Sequence, residues 1–237
     1  MKNCINLLLS AALLLTVASC SKIKGKGDVV STKRTVTGYT GISLDIDGTV
    51  NYTPDSVYTL EILAQQNIAD VIETNTDDGK LVIKYQAHKI IGKHDAITIN
   101  ITAPHTTLFN ISGSGSFSLH NPIEEPVIRL QISGSGSTSA QALTANDLQV
   151  SISGSGSVWA NSGVANYEHL DISGSGNIDL TNVIADSTYA TISGSGDIRV
   201  NVLKYLEGTI SGSGSILYNG NPIINSHISG SGSIKHM

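Results

Sequence analysis

SISGSGSVWA, residues Ser151–Ala160, carries two opposed signals. Its centre, Ser153-Gly154-Ser155-Gly156, has the composition of a flexible linker. Its flanks, Ile152 and Val158, belong to a strand. The core Ile-Ser-Gly-Ser-Gly recurs from Ile111, Ile132, Ile152, Ile172, Ile192, Ile210 and Ile228, at intervals of 21, 20, 20, 20, 18 and 18 residues. Linkers have no fixed period, so the glycines serve a repeated structure.

The alternation around the motif is that of a strand. Leu148, Val150, Ile152, Gly154, Gly156, Val158 and Ala160 share one parity; Gln149, Ser151, Ser153, Ser155 and Ser157 share the other. Thirteen residues from Leu148 to Ala160 would run about 43 Å if straight. The remaining seven of a 20-residue repeat reach only about 23 Å, so a straight strand cannot close the turn. The chain must bend where the inner parity lacks side chains. This predicts a single-stranded, β-helix-like all-β solenoid. Its rungs have 18–21 residues and its corners are Gly113 and Gly115, Gly134 and Gly136, Gly154 and Gly156, Gly174 and Gly176, Gly194 and Gly196, Gly212 and Gly214, and Gly230 and Gly232. Each rung is expected to have two arms of about 20 Å and a return of about 23 Å.

Other repeat architectures do not fit. The leucine-rich signature is absent, and propeller blades need twice this period. Calcium-binding nonapeptide repeats need an Asp in each turn, where this chain has mostly Ser (Ser116, Ser137, Ser157, Asn177, Asp197, Ser215, Ser233).

The ends of the chain read differently. Lys2 followed by the apolar stretch Ile5–Ala18 is a signal segment, too short to span a bilayer comfortably. Val17-Ala18-Ser19-Cys20 resembles a bacterial lipobox, making Cys20 the lipidation residue and giving the protein a membrane anchor. This divides the chain into residues 1–19, a lipoprotein signal peptide; 20–36, a lipidated basic tether with Lys22, Lys24, Lys26, Lys33 and Arg34; 37–110, irregular N-terminal rungs and a cap; and 111–237, the repeat solenoid, with 37–237 one continuous domain. After removal of 1–19 no Cys remains that could form an internal disulfide, so packing and a hydrogen-bond ladder must hold the fold. The formal charge of −5 becomes −6 on that removal, and nothing points to nucleic acid. At the other end, only Ile234–Met237 follow the seventh motif. The last rung is expected to fray or to make a weak homotypic contact through its open edge.

Within 37–110, strands are expected in GISLDIDGTVNYT, YTLEILA, KLVIKYQ and AITINITAP. A turn is expected at Asp77-Asp78-Gly79, a short helix over Gln65–Glu73, and Asp47-Gly48-Thr49 as a degenerate corner. Gly38–Ile42, Asp78–Ile83, Thr102–Pro104 and the repeats that follow resemble the putative auto-transporter adhesin head GIN domain family, over roughly residues 37–219. The resemblance implies a β-helix-like fold, an adhesin-type role and exported lipoproteins of Bacteroidetes. It carries over no catalytic residue.

Chemistry is sparse. The seven histidines form no H-x-x-x-H pattern and imply no metal. The repeated Gly-Ser-Gly lacks the partners of a nucleophile elbow, and no cofactor is indicated. The reading is a non-enzymatic binding or adhesion surface for a glycan or protein ligand, on the cell envelope with the outer membrane as its site. Trp159, Asp197 and Arg199 are the candidate ligand surface. The alternative is a carbohydrate-active β-helix enzyme using Asp171, Asp179, Asp186 or Asp197.

Overall fold

A computed structural model describes residues 22–237; the signal segment 1–19 and Cys20 lie outside the described residues. The chain begins with β1 (Val29–Arg34), β2 (Gly41–Leu44), β3 (Thr49–Pro54), β4 (Thr59–Gln65), α1 (Gln66–Ala69), β5 (Ile72–Asp77), β6 (Lys80–Tyr85), β7 (Thr98–Ala103) and β8 (Leu108–Gly113). The repeats follow as β9 (Ser116–Gly134), β10 (Ser137–Gly154), β11 (Ser157–Ala160), β12 (Gly163–Gly174), β13 (Asn177–Gly194), β14 (Asp197–Gly212), β15 (Ser215–Asn219), β16 (Ile223–Gly230) and β17 (Ser233–His236). From β9 onward every pairing is parallel and joins one rung to the next, which is the solenoid the period predicts.

The two glycines of each motif do different jobs. Gly154 sits at φ +125, a backbone that L side chains rarely adopt, and a Cβ there would run into the Gly134 carbonyl, with its carbon 3.1 Å away. Gly156 is buried; a Cβ would stand 2.6 Å from Ile132 Cγ2 and 2.9 Å from the Gly136 oxygen. The first glycine turns the chain and the second lets the next rung sit close. Hydrogen bonding continues through the bend. The Ser155 amide donates to the Gly134 carbonyl at 2.9 Å and the Ser157 amide to Gly136 at 3.1 Å, and the other rungs repeat both bonds.

Each rung has three sides, but not the equal arms expected. In β10 the ladder shifts register at Gln141 and is interrupted, in unchanged register, at Asn146, leaving runs 137–140, 142–145 and 147–154. Inward parity changes at both points: Thr138 and Ala140 are buried, then Leu143, then Leu148, Val150 and Ile152. The glycine corner keeps the parity, so the alternation reads straight through it while the other two corners break it.

The interior is a set of aliphatic stacks, such as Ile132–Ile152–Ile172–Ile192–Ile210, all nearly inaccessible. Burial of such side chains contributes about 1.5–3 kcal/mol each. Edge-to-face contacts among Tyr52, Phe109 and Phe117 fill the wider N-terminal layers, with centroids 5.0 and 5.4 Å apart.

The first rung uses the same geometry in altered form. Leu44 pairs with Ile111, and the Ser116 amide donates to Gly48, so Gly48 holds the place of a second glycine. Below it the ladder turns antiparallel: β5 and β6 form a hairpin through Asp78 (φ 47) and Gly79 (φ 70), and β4 lies between β1 and β7. The expected helix is limited to Gln66–Ala69, because Ile72 already enters β5.

The basic segment is not a free tether over its described part. β1 pairs along its whole length with β4, and Ile23 bridges Ile91. The Arg34 guanidinium donates to the carbonyls of Ile72 (2.6 Å) and Ala69 (2.8 Å). Alternating exposure along Val29–Arg34 marks this segment as an edge strand that charge alone disguised. At the far end β16 and β17 are hydrogen-bonded to the preceding rung, so the last motif forms strands.

Gly174→Val, at φ +128 against the Gly154 carbonyl, should cost about 3 kcal/mol or more. Ser175→Thr, on the exposed outer side, should cost under about 1 kcal/mol. Thermal unfolding of the two variants checks this, and equal losses would refute the corner geometry.

Candidate functional site

The first run of each rung presents two outward rows. Register places Ser139, Trp159, Asp179, Arg199 and Leu217 in one, and Ser137, Ser157, Asn177, Asp197 and Ser215 in the other. Rungs are about 4.8 Å apart, so Trp159 and Arg199 lie about 10 Å apart on one face, with Asp179 between them. Asp197 is on the same face, its Oδ2 3.9 Å from Arg199 Nη2. The sequence-selected trio is thus on a single surface. Trp159 is 41% exposed.

The carboxylates proposed for catalysis do not converge. Asp179 and Asp197 are diagonal neighbours, since Asp197 pairs with Asn177, and Asp179 accepts from both the backbone N–H and the hydroxyl of Thr181. Asp171 stands on the third run, opposite Ser151. Asp186 lies at the second slip and binds Lys204 at 2.7 Å. Among the described residues no group of three or more His, Cys, Asp or Glu is placed to hold a metal ion.

Most other aromatic groups of the repeats are engaged with one another. On the third run, His169 stacks on Tyr189 at 5.0 Å and 8°, and Tyr189 packs against Tyr205 at 6.0 Å. The Tyr205 hydroxyl donates to Glu207 at 2.9 Å, while Arg129 donates to Gln149 and Gln149 to Asp147. Tyr218 meets His236 edge-on.

Sequence reasoning missed two features. A pocket of about 390 Å³ opens beside the Trp159 row, at the corner of rungs 116–134 and 137–154, lined by Ser118, Leu119, His120, Ser139, Ala140, Gln141 and Asn161. No glycine motif marks this corner. The second feature is Glu168, wholly buried in the row Leu148–Glu168–Thr188. The 20-residue step from Leu148 would have placed it inside.

Thr188 donates to Glu168 Oε2 at 2.7 Å, and among the described residues Oε1 has no partner. Burial pushes this carboxyl up to about 8. The folded state therefore holds a proton that the unfolded chain releases near 4.5, so stability must fall as pH rises from there through about 8. Glu168→Gln should remove this slope and be the more stable protein at pH 9. Denaturation midpoints at pH 5, 7 and 9 check it; parallel profiles for variant and parent would contradict the burial argument.

Residues 38–222 match the family model described as "Putative auto-transporter adhesin, head GIN domain". The chain is similar in structure to a putative adhesin from Bacteroides fragilis, at 27% identity and a TM-score of 0.86, covering 91% of this chain and 100% of that one. It shares its fold with two proteins of Parabacteroides distasonis. One is a putative adhesin (20% identity, TM-score 0.76) and one a putative lipid binding protein (22% identity, TM-score 0.76); each match covers 92% of this chain and all of the other. No curated protein matches the chain.

Proposed function

Since the chain belongs to the auto-transporter adhesin head GIN domain family, we propose that it is a non-enzymatic, exported adhesin-type protein that binds an extracellular ligand on its solenoid face. The observation that carries this reading is the face built from Trp159, Asp179, Asp197 and Arg199. A backbone ladder fixes their spacing, and the exposed indole is free to meet a partner. Rigid presentation reduces the entropy lost on binding. The B. fragilis relative, also described as an adhesin, supports the same role.

The resemblance of Val17–Cys20 to a lipobox supports a site on the cell envelope for this surface, with Cys20 as lipid anchor in the outer membrane. A weak contact between copies is proposed along the outer edge of β16 and β17. There Ile224 and Ile228 are each 42% exposed, although their partners Leu206 and Ile210 are buried.

Purified protein applied to panels of glycans and extracellular proteins should bind at least one. Trp159→Ala and Arg199→Ala should each weaken that binding about tenfold or more without lowering the melting temperature. Unchanged binding in both variants would move the site elsewhere, and release of reducing ends from a glycan by the parent would overturn the non-enzymatic reading. Cys20→Ala should shift the protein from the detergent phase to the aqueous phase on partitioning; a variant that still partitions with detergent would remove the anchor.

A further inference from the structure

We propose that Trp159 and the corner pocket beside it form a subsite for a neutral sugar ring. This rests on the binding reading above and names the ligand class and the residues that select it.

Register builds the site. Leu119 pairs with Ala140 and Ala140 with Ala160, so the next residues along, His120, Gln141 and Asn161, follow one another up the corner. Ser139 lies directly beneath Trp159 in its row, and Ser118 beneath Ser139. Trp159 therefore stands one rung above Ser139, in the outward row that borders the pocket. A flat aromatic surface next to a row of short polar side chains matches the two sides of a pyranose. One face is C–H-rich and packs on a ring; the rim carries hydroxyls that need donors and acceptors.

Among the described residues the hydrogen bonds leave those groups free. Gln141 Oε1 accepts from the Asn121 amide at 2.8 Å, which fixes the side chain and leaves both Nε2 protons unused. Asn121 holds φ 66 there, a left-handed backbone stabilised by this contact. His120 Nε2 approaches Asn51 Oδ1 at 3.4 Å, leaving Nδ1 open. The Asn161 backbone N–H donates to the Ala140 carbonyl, and among the described residues its side-chain amide makes no hydrogen bond.

Charge selects the ligand. Among the described residues no Lys, Arg, Asp or Glu lines the pocket, so it offers no permanent charge to a sulfate, phosphate or carboxylate. A neutral ligand leaves no charge unpaired on desolvation. The volume of about 390 Å³ is near the lower end of small-ligand pockets, about 300–1,000 Å³, and suits one or two rings.

Trp159 is the only tryptophan in the chain, so its emission reports this site alone. Titration with glucose, galactose, mannose, N-acetylglucosamine and their short oligomers should give a saturable change for at least one of them, with about millimolar affinity for a single ring. Gln141→Ala and Asn161→Ala should each weaken it about tenfold, while Ser155→Ala, at the glycine corner, leaves it unchanged. Sialylated and sulfated glycans should gain nothing over their neutral parents. If no neutral sugar perturbs Trp159, or if the two amide variants bind as the parent does, the subsite is refuted. If the protein then still binds a protein or an acidic glycan through Trp159 and Arg199, the adhesin reading stands without the subsite. If it binds nothing, both fall.

Discussion

From the second glycine corner onward the serine between the two glycines donates its amide to the first glycine of the preceding rung, at 2.8–2.9 Å for Ser135, Ser155, Ser175, Ser195, Ser213 and Ser231. A bend normally breaks a β-ladder, because the turning residues aim their amides away from the neighbouring strand. Here the left-handed first glycine keeps the amide on axis, and the buried second glycine lets the rungs approach closely enough for the bond to form. No side chain other than hydrogen satisfies both conditions. The stack of aliphatic rows and the strand register both follow from this spacing.

The same constraint orders the outer surface. Because register is fixed at every glycine corner, residues about 20 positions apart share a row along the runs that meet there, and a single substitution acts at a defined height. Trp159 replaces the Ser139 of the rung before it, and Asp179 and Arg199 follow. A surface feature in such a solenoid is a change of side chain within a row, while the backbone beneath stays constant. This suits a family whose members keep one fold at low identity. The 27% identical B. fragilis structure superposes with a TM-score of 0.86.

The solenoid could be read in the sequence because the glycine corner preserves inward parity, leaving Leu148 through Ala160 as one unbroken alternation. The other two corners were hidden for the opposite reason. At Gln141 and Asn146 the parity changes and neither position carries Gly or Pro, although Pro122 and Pro126 stand at the same corners of the rung before. The pocket lined by His120 and Gln141 was hidden with them. Five basic residues give 20–36 the composition of a tether, although Val29–Arg34 alternates and forms the edge strand of the cap. Of the candidate face, the outward parity of Trp159 is legible in the alternation that continues from Val158. The contacts of Asp179 with Thr181 are not, because they depend on side-chain reach.

Amide hydrogen exchange at the corners tests this account most directly. Ser155, Ser175 and Ser195 lie in exposed Ser-Gly segments, which in a linker would exchange at the rate of an unstructured chain. The account predicts protection for their amides comparable to that of Ile152, Ile172 and Ile192 within the strands, since each is bonded to a glycine carbonyl one rung away. Exchange at the unprotected rate at these serines, with the neighbouring isoleucines protected, would contradict it and leave the corners as loops.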